Sequence, residues 1–280
     1  MLTQKPDAMK KILIAFDGHH FSQGAFDMAC FLHQQEASLV TGVFLSPIDY
    51  REVIGYSGMG IGAPVIMPMI EPEEDAILKN IAHFEEECKK FNIEYRIHKD
   101  TKVFALSELA TETRFADLLI LSSELFYQNI DKNQPNDYLK KTLHHAECPV
   151  LLVPEQFASP KSLIIAYDGK GSSVFAIKQF SYLFPTLKKL KTLVVSFEPE
   201  GSDVPRKEYI TELASRHYPD LSFQTFDIQA KEFATWVSEK KDTMLITGAF
   251  GRGELPSLFR KSFATQIIQE HRIPLFIAHR

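Results

Sequence analysis

The sequence predicts an α/β fold in which parallel strands are covered by helices on both faces. Three observations indicate this fold: short, continuously apolar segments recur, amphipathic segments separate them, and the whole order occurs twice. Strands that are apolar throughout are typical of parallel sheets, because helices bury both of their faces. We therefore expect two five-stranded α/β domains in tandem, at residues 1–155 and 160–280, joined by the proline-flanked segment 154–160.

The repeat is clearest where each half begins. Residues 11–18 read KILIAFDG and residues 162–169 read SLIIAYDG, so each is an apolar strand that ends in Asp-Gly. An alanine follows the aspartate at the same distance in both copies, at Ala25 and Ala176. This agreement predicts a tandem duplication. The halves also close alike, with apolar strands at 150–153 and 275–278 that follow Pro149 and Pro274.

Strand and helix alternate between these landmarks. Ser22 and Ser173 are the expected N-caps of the first helix in each half, because a serine hydroxyl accepts a hydrogen bond from a first-turn N–H group. The third strands alternate apolar and polar residues, which predicts half-exposed strands. The expected second strands are 39–45 and 193–197, the helices after them 73–91 and 206–217, and the third strands 93–97 and 221–225.

The composition limits the class of protein. The 280 residues are 45% hydrophobic and 24% charged, with a formal net charge of −5, which is typical of a folded domain. A mildly acidic chain has no overall electrostatic attraction to nucleic acid or anionic membrane. No apolar run approaches the roughly 18 residues that span a bilayer, and the first residues lack a signal-peptide pattern, so we expect a cytoplasmic protein. The three cysteines are far apart and are expected to be buried free thiols.

A glycine-rich stretch is the strongest candidate for a functional site. Residues 248–262 read GAFGRGELPSLFRKS and follow a short apolar strand. Three glycines, Gly248, Gly251 and Gly253, precede Ser262 and a helical pattern, so backbone N–H groups there can bind an anion. The alternative is that these glycines only relieve a tight turn between strand and helix.

The ordered set of these features resembles the universal stress protein family in its tandem two-domain form. The set consists of the Asp-Gly strand ends at Asp17 and Asp168, the alanines of the first helices, the glycine loop and the proline-led last strands. The resemblance covers nearly the whole chain. It implies two flavodoxin-like, adenine nucleotide α-hydrolase-like domains, each with parallel strand order 3-2-1-4-5. Ligands of such sheets bind beyond the carboxyl ends of the first and fourth strands, where the order reverses.

The resemblance further implies an adenine nucleotide, ATP or AMP, with or without Mg²⁺, in the second domain. ATP-binding members share a motif of Gly, two residues, Gly, nine residues, Gly and Ser or Thr. Here Gly248, Gly251 and Ser262 fit, whereas Lys261 replaces the third glycine. Its side chain would obstruct the phosphates, or its ammonium group would pair with them. The implied ligand contacts are Ala166, Tyr167, Asp168, Phe197, Gly248, Gly251, Gly253, Lys261 and Ser262.

Within this set the resemblance places Asp168 near the adenine or ribose and the backbone around Phe197 against the base. The alternative for Asp168 is that its carboxylate only forms a turn with its own backbone. The first half has no glycine in the corresponding loop, and Asp137 would place a carboxylate where a phosphate would dock. We therefore expect that half to bind no nucleotide.

The expected function is that of a stress-response regulatory protein with one nucleotide site and at most weak ATPase activity. The alternative is a universal stress protein that binds no nucleotide and acts as a protein interaction module. No catalytic residue and no metal ligand is expected, since the histidine pairs at 19–20 and 144–145 lack partners at metal-binding spacing. We expect no nucleic-acid or membrane partner.

The expected assembly is a pseudo-dimer of the two halves within one chain, with further association into a homodimer left open. Strands 150–153 and 275–278 would pair with each other, which would cover both sheet edges. The apolar segment 54–70 would pack across the halves or bind a partner.

Overall fold

The computed structural model describes residues 10–16, 20–45, 71–100, 105–124, 142–143, 145–199, 201–227, 230–240, 242–248 and 272–278. The segment 54–70 and most of the glycine-rich loop lie outside these residues.

Strands and helices alternate through the first half. The strands are β1 (Lys10–Phe16), β2 (Ser38–Leu45), β3 (Glu94–Asp100), β4 (Leu118–Ser122) and β5 (Val150–Val153). The helices between them are α1 (Gln23–Gln35), α2 (Glu71–Lys90) and α3 (Ala105–Thr113).

The second half repeats this arrangement. Its strands are β6 (Ser162–Ala166), β7 (Lys191–Phe197), β8 (Leu221–Phe226), β9 (Thr243–Gly248) and β10 (Leu275–Ala278). Its helices are α4 (Gly171–Leu183), α5 (Lys207–His217) and α6 (Ala230–Ser238), and a short 3₁₀ turn covers Leu187–Lys189.

All ten strands form one sheet, in the order β3-β2-β1-β4-β5-β10-β9-β6-β7-β8. Within each half the strands are parallel and follow the expected order 3-2-1-4-5. The predicted fold class is confirmed, and the two five-stranded units join in one sheet because β5 and β10 pair antiparallel, with Phe276 opposite Leu151. This pairing, which the sequence predicted, satisfies backbone groups that two free edges would expose. The division into domains at 155 and 160 stays a prediction.

Helices cover both faces of the sheet. On one face, α1, α2, α4 and α5 bury alternate strand residues such as Ile14 and Ile165. On the other face, α3 and α6 bury the intervening residues, such as Leu13 and Ile164. The continuous apolar character of the central strands therefore has the cause expected of a doubly covered sheet. The three cysteines are buried free thiols, as predicted.

The two predicted N-caps differ. Ser22 caps α1, since its Oγ accepts a hydrogen bond from the Ala25 N–H at 3.3 Å. Ser173 lies inside α4, so its predicted capping role was wrong. The Asp168 carboxylate forms the turn that precedes α4, and this moves the start of the helix ahead of Ser173. Among the described helices, none has the length and apolar character needed to cross a membrane.

Candidate functional site

Four of the predicted ligand-binding segments meet at the carboxyl ends of the parallel strands in the second half. We call this side of the sheet its carboxyl edge. Strand β6 lies between β7 and β9, and Ala166 is opposite both Val195 and Thr247. The carboxyl ends of these strands therefore bring Ala166, Asp168, Phe197 and Gly248 to the same edge, where ligands of such sheets bind. Gly251, Gly253, Lys261 and Ser262 lie outside the described residues.

Asp168 forms the turn between β6 and α4. Its Oδ1 accepts hydrogen bonds from the Lys170 N–H at 3.0 Å and from Ser173 Oγ at 2.8 Å. Gly169 between them has a φ of +74°, a left-handed conformation that favours glycine. The role of Asp168 as a turn former is confirmed. Its other oxygen, Oδ2, lies 3.7 Å from Lys170 Nζ, and the side chain is exposed.

Tyr167 is buried next to Asp168. Its side chain is 3% exposed and belongs to the core beneath α4 and α5. Burial raises the pKa of its phenol; Arg206 opposes the rise and Asp168 adds to it. The Tyr167 N–H donates to the Val195 carbonyl at 2.8 Å. Asp168 is therefore the ionisable side chain that this strand end presents toward solvent.

Gly248 ends β9 directly against the first turn of α4. A Cβ atom on Gly248 would lie 2.3 Å from the carbonyl carbon of Ser172 and 2.5 Å from Ser173 N. Real Cβ atoms do not approach backbone so closely, so a larger residue here would push strand and helix apart. The close packing of β9 against α4 therefore explains why position 248 is a glycine.

The first turn of α4 faces the same edge. The N-cap residue Lys170 has extended backbone and makes no side-chain capping bond. The N-terminus of a helix carries a partial positive charge and unpaired N–H groups, which favour an anion. The turn that precedes α5 packs beside it, since a Cβ on Gly169 would lie 2.9 Å from Pro205 Cβ.

The sequence did not predict an aromatic cluster near Phe197. The Phe197 and Phe233 rings meet edge to face with centroids 4.7 Å apart, and Phe233 stacks on Trp236 at 5.7 Å. Phe226 packs on Trp236 at 5.0 Å, and Lys240 Nζ lies 4.4 Å from the Trp236 ring centroid. The available signal was that Phe197 and Phe226 both end strands, next to each other in the sheet.

The corresponding edge of the first half holds an internal carboxylate. Glu155 Oε2 accepts a hydrogen bond from the Gly24 N–H in the first turn of α1 at 3.3 Å. Its Oε1 accepts from Ser122 Oγ, at the carboxyl end of β4, at 2.7 Å. Because Pro154 O lies 2.1 Å from where a Gly24 Cβ would be, the segment after β5 is pressed against the helix. The Glu155 carboxylate thus connects the first turn of α1 with the carboxyl end of β4.

A second carboxylate accompanies Glu155. Glu124 Oε2 accepts a hydrogen bond from the Glu155 N–H at 2.8 Å. Burial raises the pKa of Glu124, and the charge of Glu155 adds to this rise, while the hydrogen bond opposes it.

Among the described residues, aromatic side chains cluster near the carboxyl end of β1. Phe16 at the end of β1 stacks on both Phe21 and Phe44, each with centroids 4.9 Å apart. Phe84 of α2 completes the group and meets Phe44 edge to face, with ring centroids 5.9 Å apart. Asp137, which the sequence assigned to block the anion position, lies outside the described residues.

In the described part of the chain, no cluster of three or more His, Cys, Asp or Glu side chains could hold a metal ion. Of the paired histidines, His20 and His145 are described and exposed, whereas His19 and His144 are not described.

Comparison with known proteins shows similarity in fold. No protein-family model matches the chain, and no curated protein matches it by sequence. Among solved structures, a universal stress protein from Archaeoglobus fulgidus DSM 4304 superimposes with a TM-score of 0.68 at 12% identity, over 97% of this chain and 96% of that one.

Two further solved structures resemble this chain in fold over nearly the whole length of both chains. A functionally unknown protein from Pseudomonas aeruginosa PAO1 gives a TM-score of 0.59 at 12% identity, over 97% of this chain and 93% of that one. A protein provisionally titled a universal stress protein, from Pseudomonas aeruginosa UCBPP-PA14, gives 0.56 at 13% identity, with 97% and 94% covered.

Proposed function

Because the chain has the fold of universal stress proteins, we propose that it is a stress-response regulatory protein that binds one adenine nucleotide, ATP or AMP, at the carboxyl edge of its second half. The proposal is supported by the general tendency of open α/β sheets to bind ligands beyond the carboxyl ends of their strands, at the point where the strand order reverses.

One observation carries the proposal: the two halves share a strand order but differ at this edge. In the first half the Glu155 carboxylate occupies the N-terminus of α1. In the second half α4 begins at Gly171, and its N-cap residue Lys170 makes no side-chain capping bond, beside Asp168 and the close contact at Gly248. In the sequence, the position after β10 that corresponds to Glu155 is Arg280, a cation. An anion is therefore excluded from the first half and favoured in the second.

The roles of the site residues follow from this placement. Asp168 Oδ2 lies 3.7 Å from Lys170 Nζ and accepts a hydrogen bond from a ribose hydroxyl, while Oδ1 keeps the turn. The glycines at Gly251 and Gly253, together with Ser262, bind the phosphates through N–H and hydroxyl groups. Lys261 lies among these residues in the sequence and pairs with a phosphate.

Isothermal titration of the full chain with ATP and Mg²⁺ tests the proposal. We expect one nucleotide per chain. Asp168→Asn retains an oxygen for the turn but removes the charge, and we expect about a tenfold loss of affinity. Asp220→Asn is the matched control, because Asp220 is exposed and lies at the amino end of β8, on the side of the sheet away from the carboxyl ends of the strands. Unchanged affinity in Asp168→Asn would remove Asp168 from the site.

Two variants of the loop separate the proposal from its alternative. Gly251→Val places a branched side chain against the phosphates and is expected to abolish binding. Lys261→Gly restores the motif and is expected to weaken binding if Lys261 pairs with a phosphate. Binding that occurs only in Lys261→Gly would mean that the natural chain binds no nucleotide. The chain would then be better described as a protein interaction module.

A further inference from the structure

The sheet ends in two edge strands of opposite chemistry. Edge strand β3 reads EYRIHKD, so most of its residues are ionisable. Within it Arg96 Nη1 donates to the Tyr95 carbonyl oxygen at 2.8 Å, and Arg96 Nη2 pairs with Glu94 at 3.1 Å. Charged residues and side chains that occupy backbone acceptors are the usual protection of an edge against pairing with another chain.

Edge strand β8 lacks this protection. It reads LSFQTF and contains no charged residue. The Thr192 N–H of β7 donates to the Asp220 carbonyl, and the Glu198 N–H donates to the Phe226 carbonyl. In a parallel pair the residues that bond to the neighbour alternate, so the even-numbered residues of β8 face β7. The backbone groups of Leu221, Phe223 and Thr225 therefore point outward.

We propose that β8 pairs antiparallel with β8 of a second copy of this chain, across a two-fold axis at Phe223. In this register each outward residue meets an outward residue: Phe223 lies opposite Phe223 of the second copy, and Leu221 lies opposite Thr225. Each such pair exchanges two backbone hydrogen bonds. An interface of this kind is self-complementary, as two-fold symmetry requires.

The side chains favour pairing between two copies of β8 and disfavour the corresponding pairing between two copies of β3. The exposed Ser222 lies opposite the exposed Gln224 of the second copy, so no charges meet. Asp220 lies opposite Phe226 rather than another acid. The same operation on β3, centred on Ile97, would set Glu94 against Asp100, and like charges directly opposite are destabilising.

The register can be tested by two double variants that share one substitution. Ser222→Lys with Gln224→Lys sets lysine against lysine twice across the axis, which is expected to raise the dimer dissociation constant by roughly tenfold. Ser222→Lys with Gln224→Glu sets lysine against glutamate at the same positions and is expected to restore wild-type dimerisation. Both positions are exposed on an edge strand, so the fold tolerates the changes.

Sedimentation velocity of the full chain over a concentration series is the measurement. A wild-type dimer that is weakened by the lysine pair and restored by the lysine–glutamate pair supports the proposal. A wild-type chain that stays monomeric overturns it, as does a dimer that responds to both double variants alike.

Discussion

Ser122 Oγ donates a hydrogen bond to Glu155 Oε1 at 2.7 Å, which ties the segment between the two halves to the carboxyl end of β4. Ser122 is fully buried, and the other carboxylate oxygen of Glu155 binds the Gly24 N–H of α1. One side chain thus connects strand, helix and connecting segment.

Loss of this carboxylate should destabilise the protein. In Glu155→Ala the buried Ser122 hydroxyl and the Gly24 N–H lose their acceptor, and we expect a loss of about 1 to 2 kcal/mol in the free energy of unfolding. Glu155→Gln keeps an acceptor and should lose less. Urea unfolding measures both, with the exposed neighbour Gln156→Ala as the control. Equal stability of Glu155→Ala and the control would mean that the contacts contribute nothing.

The neighbouring Glu124 should give the stability a dependence on pH. Burial, and then the charge of Glu155, raises the pKa of Glu124 above its ordinary value of 4.5, so the folded protein binds this proton more tightly than the unfolded chain. The contribution of Glu124 to the free energy of unfolding therefore decreases as pH rises from 4.5 through the raised folded pKa.

Glu124→Gln removes this contribution. As pH rises from 4.5 through the raised folded pKa of Glu124, the wild type should lose stability that the variant keeps. We therefore expect the urea midpoint of the variant to increase relative to that of the wild type over this pH range. Urea titrations at several pH values measure it. A difference that is constant with pH would show that Glu124 has the same pKa in both states.

Gly248 should tolerate no side chain. Gly248→Ala places Cβ 2.3 Å from the Ser172 carbonyl carbon, and we expect a loss of about 2 kcal/mol or more as β9 and α4 separate. Gly171→Ala is the matched control in the same region, because a Cβ there meets no atom within 4 Å. Thermal unfolding compares the two. Similar melting temperatures would contradict the close contact of strand and helix.

The Tyr218 hydroxyl should contribute to stability through one hydrogen bond. It is buried at 1% exposure and donates to the Ile177 carbonyl of α4 at 2.7 Å. We expect Tyr218→Phe to lower the free energy of unfolding by about 1 kcal/mol. Tyr209→Phe makes the same chemical change at a residue that is 74% exposed and should be neutral. If urea unfolding gives equal losses for both, the buried bond is not stabilising.

Local patterns in the sequence predicted much of the fold. The helix predicted at 206–217 is present at Lys207–His217, and the one predicted at 73–91 is present at Glu71–Lys90. The predicted half-exposed third strand is β8, where exposed and partly buried residues alternate. These features depend on residues close in sequence, and hydrophobic period and strand propensity report on such residues directly. The capping role of Ser173 was wrong because Asp168, five residues earlier, forms a competing turn.

The candidate site was predictable only in outline. Asp-Gly after an apolar strand, and glycines after another, place Asp168 and Gly248 at strand ends, and parallel pairing then brings those ends together. The contact of Gly248 with Ser172 depends on how strand and helix approach each other, which no local pattern encodes.

The sequence by itself determined the alternation of strands and helices and the similarity of the two halves, and it placed Asp168 and Gly248 at the carboxyl ends of two strands. The tertiary structure decided the antiparallel register in which β5 and β10 pair, with Phe276 opposite Leu151, and the contact of Glu155 with the first turn of α1. Both outcomes depend on contacts between residues more than a hundred positions apart, such as Gly24 with Glu155. Such contacts arise when packed elements bring distant backbone groups together, and hydrogen bonding then fixes which side chain satisfies them.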